Sequence, residues 1–229
     1  MRTEAIYGAP PVDLGLIDLS PSEMMFWQYC PIKLPAADLM CLLPPNLKQF
    51  SPIVSAVFSD FDRGRRIGEW QHSYVYLTAK TMWVTPENPG NRPGWHSDGF
   101  LTDDINYVWS DTSPTVYWQP EMPVDFEADH SLSLYEMRAC AEHDITHHVR
   151  YPTKHLLRLN ERAIHKVDTC SMGGMRSFVK VSVSRHKYAL LGNSINHALA
   201  PDWTYSPRSV ERNCPIGSVA AVLERWMEG

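Results

Sequence analysis

The amino-acid sequence predicts a mainly β protein, a sandwich or open barrel with a few helices at its periphery. Two observations carry that class. From about residue 71 onward the chain is written in short β-prone runs separated by turn residues, and 18 prolines keep its segments short. Many short strands with few helices pack as two sheets or as a partly closed barrel. At 229 residues the chain is read as one domain, large enough to bury a core without disulfides, with no repeat, low-complexity block or dividing linker.

In chain order, residues 20–60 read as helical in pieces: Ser20-Pro21-Ser22-Glu23 is a helix-start signature, and PNLKQFSPIVSAVFSDF has roughly helical spacing around a proline. Four β-prone runs follow, HSYVYLTAKTMWVT, GWHSDGF, NYVWS and TVYWQ. SLSLYEMRACAEHDITHH reads as a helix between these and a second set, HLLRLN, RAIHKV and RSFVKVSVS, the last preceded by a turn at Gly173-Gly174. IGSVAAVLERWMEG, at the end, is an amphipathic helix candidate for the outside of a sheet.

Bulk properties exclude several classes. No apolar run approaches the roughly 18 residues that span a bilayer, and MRTEAIYGAPPVDLG has no apolar signal region, so a cytoplasmic protein without membrane partners is expected. Cys30, Cys41, Cys140, Cys170 and Cys214 are odd in number and form no CxxC pair, which argues against a disulfide framework or a cysteine zinc site. A net charge of −5 gives no support to bulk nucleic-acid binding. The one dense basic run, Arg63, Arg65 and Arg66, reads as a solvated loop, with a phosphate or partner contact as its alternative.

The stretch PGWHSDGF sets His96 and Asp98 two residues apart, a spacing that on an extended strand sends both side chains to one face. Alone, such a pair is equally a hydrogen-bonded turn. His165, in the β-prone RAIHKVD, is the best third ligand, and Arg176 follows it by 11 residues at the start of RSFVKVSVS. Two imidazoles and one carboxylate are the donor set of non-haem iron oxygenases, and a strand-borne arginine could hold a carboxylate beside the metal.

This order of residues, HSD at 96–98, His165 and Arg176, resembles the Fe(II)- and 2-oxoglutarate-dependent dioxygenases. The resemblance covers about residues 71–185 and implies a double-stranded β-helix, the cupin-like jelly roll, with residues 1–70 and 186–229 as helical or loop extensions. It implies Fe(II) held by His96, Asp98 and His165, with 2-oxoglutarate and O2 consumed and succinate and CO2 released as an unactivated C–H bond is hydroxylated. It gives Arg176 the distal carboxylate of 2-oxoglutarate. Thr115, opening TVYW, resembles the threonine that assists this arginine in the taurine-dioxygenase-like branch. Many relatives carry Arg-x-Ser, whereas here Phe178 stands two residues after Arg176. Lys180 shares strand parity with Arg176 but lies 15 residues after His165 and is the less favoured anchor.

Among the nearby aromatic residues, Trp95, Phe100, Tyr107 and Trp109 are candidates for a substrate pocket, with core packing as the alternative role. Two other functions stay open on the sequence. A cupin-like metal-binding protein without oxidative turnover would share the barrel. A zinc hydrolase would use His143 and His147 of HDITHH as an i, i+4 pair, although Asp144 replaces the usual Glu and Ile145-Thr146 are poor helix formers. The substrate, a small molecule or a side chain, is not written in the sequence, nor is the oligomeric state.

Overall fold

The structure, a computed structural model, describes residues 2, 6–35, 39–169, 173–199 and 201–208. Ten strands run β1 (Val12–Leu16), β2 (Met25–Lys33), β3 (Tyr74–Val84), β4 (His96–Ser97), β5 (Ile105–Ser110), β6 (Val116–Trp118), β7 (His148–Arg150), β8 (His155–Leu159), β9 (Ile164–Lys166) and β10 (Gly174–Ser184). Helices α1 (Ser51–Arg63) and α2 (Ile67–Gln71) precede β3, and α3 (His130–His143) lies between β6 and β7.

The strands form two sheets, ordered β1-β8-β5-β10-β3-β2 and β4-β9-β6-β7. From β3 to β10, the first, third, sixth and eighth strands join the larger sheet and the other four the smaller, so consecutive strands mostly cross between sheets. That is the double Greek-key order of an eight-stranded jelly roll. The expected mainly β jelly roll with flanking helices is therefore what the chain adopts, as two antiparallel sheets that do not merge into a closed barrel among the described residues.

Contacts divide the chain into two compact units. The first comprises Met1–Phe26 and Ala79–Val181. Between its two sheets lie Val108, Leu157, Leu159 and Phe178 from the larger sheet and Tyr117 from the smaller. Strand alternation sends the neighbours of Tyr117 the other way: Val116, Trp118 and Ile164 pack with Trp95, Phe126, and Met137 and Ala141 of α3. The smaller sheet thus has one face toward the larger sheet and one under α3. That helix is capped by Asp129, whose Oδ1 accepts from the backbone N–H groups of Ser131 and Leu132, both at 2.9 Å.

The second unit comprises Trp27–Thr78 and Ser182–Gly229. Its α1 and α2 form a corner where the Arg66 guanidinium lies 4.4 Å over the Phe61 ring and 3.7 Å from both Asp60 and Glu69. Of the basic run, Arg66 is thus a packing residue. The buried Lys33 ammonium donates to the carbonyls of Leu34, Gln71 and Ser73 at 3.0–3.1 Å.

Two expectations change. The helix start at Ser20–Glu23 leads instead into β2: MFWQYCPIK is a continuous aromatic and β-prone run without helical period, and its Pro31 is tolerated because β2 is an edge strand. Helix does form later, over Ser51–Arg63, as the spacing there predicts. Gly174 is the first residue of β10 rather than a turn residue. The C-terminal helix expected at IGSVAAVLERWMEG lies outside the described residues.

Candidate metal centre

Three strands of the smaller sheet set the site in register. His96 on β4 pairs with His165 on β9, and His165 pairs with Tyr117 on β6. Directly paired residues project to the same face, so these rings form a row on the face that meets the larger sheet. Their centroids are 4.6 Å apart for His96–His165 and 5.8 Å for His165–Tyr117. Asp98 follows at the turn that ends β4, and one ligand atom each from His96, Asp98 and His165 lies within 4.8 Å of the others.

The turn is built to leave Asp98 there. Gly99 has φ +75°, and a Cβ at this position would meet the Asp104 Cβ and the Thr102 Oγ1 at 2.9 Å. Ser97, facing the other way, donates its hydroxyl to the Glu161 carbonyl and pins β4. Gly94 has open space around it, and its contribution is its carbonyl, which lies 2.7 Å from His96 Nδ1.

Backbone carbonyls fix both imidazoles. His96 Nδ1 lies against the Gly94 oxygen, and His165 Nδ1 lies 3.1 Å from the Ala163 oxygen. A carbonyl can only accept, so each Nδ1 carries a proton, which leaves Nε2 as the ring atom of each that can ligate a metal, the arrangement of metal-bound histidines oriented by an outer hydrogen bond. The donor set offered to a metal is then two imidazole Nε2 atoms and one carboxylate oxygen, suited to a divalent transition metal of the non-haem iron type. His165 Nε2 and Asp98 Oδ2 are 3.6 Å apart.

Asp98 also accepts from Lys180 Nζ at 3.0 Å. Burial works to raise the carboxyl's pKa, but Lys180, with His165 and His96, outweighs it and holds the group well below the ordinary carboxylate range. Lys180 shares the inward face of β10 with Phe178 and Arg176. Arg176 is 3% exposed. Its Nε donates to the carbonyls of Thr112 and Ser113 at 3.3 Å, and its guanidinium lies 5.2 Å from the Phe178 ring. Its Nη2 is buried without a hydrogen-bond partner among the described residues. Burial lowers the Arg176 pKa to about 10, against the opposing pull of Asp111 and Asp168.

Lys80 on β3 joins this group of charges. Burial first, then Lys180 and Arg176, lower its pKa to about 8, while Asp98 acts the other way. The Tyr117 hydroxyl is buried beside Thr115 without a hydrogen bond of full geometry, and burial pushes its ionisation well up, with Asp98 and Tyr151 acting in the same direction.

The structure brings His96, Asp98 and His165 together and places Arg176 on the facing strand. It sets Thr115 against Tyr117, with its carbonyl-rich neighbours Thr112 and Ser113 holding Arg176. It does not bring the aromatic pocket candidates to the triad. Trp95 has parity opposite to His96 and packs under α3, 4.7 Å from the His148 ring and with Lys166 Nζ 4.8 Å over it. Phe100 packs on Tyr7 at 5.5 Å. Tyr107 and Trp109 alternate with the inward Val108, and Trp109 Nε1 donates to the Ile17 carbonyl at 2.9 Å.

The zinc-hydrolase pair also comes apart, because α3 ends at His143 and His147 sits in a separate 3-10 turn. There His147 Nδ1 is 2.6 Å from Asp144 Oδ1. Sequence reading misses the Lys180–Asp98 pair and Lys80. Shared parity of Lys180 with Arg176 is the available signal, but a partner on the opposite sheet leaves no trace in local pattern.

No protein-family model and no curated protein matches the chain. Among solved structures it is similar to a full-length Neurospora crassa protein crystallised in complex with alpha-KG, at 11% identity and a TM-score of 0.30, over 64% of this chain and 50% of that one. The chain thus spans about half the length of that structure.

Proposed function

We propose that this chain is an Fe(II)- and 2-oxoglutarate-dependent oxygenase that hydroxylates an unactivated C–H bond. The observation that carries the reading is the convergence of His96, Asp98 and His165 within 4.8 Å, with both imidazoles oriented through Nδ1 by backbone carbonyls. Iron held there supplies the oxidative chemistry, with O2 and 2-oxoglutarate as co-substrates and succinate and CO2 as co-products.

The chain's own residues bind and orient. The two carbonyl anchors hold the proton on each Nδ1 and aim each Nε2 at the site. Arg176, buried with one N–H pair unsatisfied, is matched to the distal carboxylate of a diacid, because a charge-assisted bond would repay its desolvation. Phe178, in the place where many relatives carry serine, packs against that guanidinium and keeps water from it. The buried hydroxyls of Thr115 and Tyr117 are further donors beside the triad. A cupin-like binding protein would share the triad, but it gives no reason for burying Arg176 with an unsatisfied donor.

Oxygen-dependent release of succinate from 2-oxoglutarate by the Fe(II)-loaded protein is the direct test. Anaerobic addition of 2-oxoglutarate should produce a weak visible charge-transfer band. The band should vanish when His96 and Asp98 are both replaced by Ala; its persistence would refute the ligand assignment. Arg176→Ala should raise the 2-oxoglutarate requirement by roughly ten- to a hundredfold, the worth of one or two hydrogen bonds to a charged group, while leaving iron stoichiometry unchanged.

A further inference from the structure

The inward face of β3 and β10 carries more positive charge than the proposed reaction uses. Lys180 and Arg176 both act on Lys80 across this face, and Asp98 is the carboxylate acting on it. Asp98 is already paired with Lys180 at 3.0 Å. Arg176 has Asp111 and Asp168 acting on it and, in the reading above, the distal carboxylate of 2-oxoglutarate. A divalent metal and a dianionic co-substrate cancel each other, so loading both leaves the charge of Lys80 unbalanced.

Among the described residues, Lys80 has no carboxylate within ion-pair distance. Its Nζ is 3.2 Å from two neutral acceptors, the Gly90 carbonyl and the Asn91 side-chain oxygen, and 5.1 Å from the Phe26 ring centroid. Gly90 and Asn91 belong to the loop that leads directly into β4 and His96. The side chain is only partly buried, so a ligand can reach it, whereas Phe26 is 58% exposed and offers an apolar surface alongside. An ammonium held among other cations by neutral dipoles alone gains more from an incoming anion than one already paired.

We infer that Lys80, with Asn91 beside it, is the recognition point for the primary substrate, and that this substrate is a small molecule bearing an oxyanion, a carboxylate or a phosphate. The inference rests on the oxygenase reading, since it assigns to the substrate the cation that the co-substrate does not use. A polymer of phosphates is not the match, because the charge is a single recessed ammonium in a protein of net charge −5.

Calorimetry on the zinc-loaded protein, saturated with 2-oxoglutarate at constant ionic strength, tests it with acetate and methyl phosphate as minimal oxyanions and acetamide as the neutral control. Wild-type protein should bind at least one oxyanion and not acetamide. Lys80→Met should weaken that binding at least tenfold, Lys80→Arg should restore most of it, and both variants should keep 2-oxoglutarate affinity within about twofold. Failure of the wild type to bind either oxyanion, equal binding by Lys80→Met, or a parallel loss of 2-oxoglutarate affinity would each overturn the inference. Failure of the zinc form to bind 2-oxoglutarate at all would instead overturn the oxygenase reading, and the two failures are read in separate titrations.

Discussion

Asp98 is a carboxylate that burial pushes toward its neutral form and that Lys180 and the two histidines pull back to the charged form. Lys180 therefore does in the metal-free protein part of what a metal would do in the loaded one: it neutralises a buried anion. Breaking a buried ion pair by removing one partner is costly because the other charge stays behind. Lys180→Met should lower the stability of the metal-free protein by up to about 3 kcal/mol, read as a shift in the urea midpoint. Added Co(II) should recover most of that loss, so the metal-induced gain will be larger in the variant than in the wild type. Equal gains in the two proteins would mean that Lys180 and the metal do not share Asp98. Gly99 is the second sensitive position. With φ +75° and no room for a Cβ, Gly99→Ala must distort the turn that presents Asp98, so cobalt affinity should fall along with stability.

At the scale of elements, α3 protects the smaller sheet on the side away from the triad, and the junction after it ties the helix end to β6. Trp118 Nε1 donates to Asp144 Oδ2 at 2.9 Å, while Asp144 Oδ1 meets His147 Nδ1 at 2.6 Å. Loss of the cap in Asp129→Ala should cost about 1 kcal/mol in a denaturant titration, with the triad's cobalt affinity unchanged. The junction gives a pH signature. Asp144 is held below the ordinary carboxylate range, chiefly by its hydrogen bond from His147, and His147 is held above its ordinary value, chiefly by Asp144. Since His147 is raised on folding, its contribution is complete below about pH 6.5 and fades as pH climbs through the raised value. Since Asp144 is lowered, its contribution is complete above about pH 3.9 and fades as pH falls through the lowered value. The stability gap between wild type and His147→Ala should therefore be widest near pH 5.5 and narrower at pH 9; a gap that grows toward pH 9 would contradict the pairing.

For the whole molecule, β3–β6 and β8–β10 are legible because each is a β-prone run between turn residues, and α3 because its pattern is helical; β7 is missed, because His148 closes the run that reads as helix and only two residues of the strand lie beyond it. The triad is legible because two of its members share a strand end and the third sits on a β-prone run. What local pattern cannot carry is which sheet each strand joins. His165 faces inward and Ile164 outward, and only the pairing of β9 with β4 and β6 decides that His96, His165 and Tyr117 form one row. Parity with His96 already sends Trp95 to the α3 side, but Phe100 lies past the end of β4, where alternation no longer places it, and β2 is hidden because a helix-start signature stands before a run with no helical period. A metal held by the triad would join these levels, since its ligands would come from two strands and the turn between β4 and β5. A ligand that binds the folded chain and not the unfolded one stabilises it by an amount set by its concentration over its dissociation constant, about 2.7 kcal/mol at a hundredfold excess. Anaerobic Co(II) or Fe(II) should therefore raise the midpoint of thermal unfolding in a concentration-dependent way. His165→Ala should abolish that rise, because β9 then brings no ligand to the row, while His143→Ala should leave it intact. A rise that survives in His165→Ala would place the metal elsewhere on the chain.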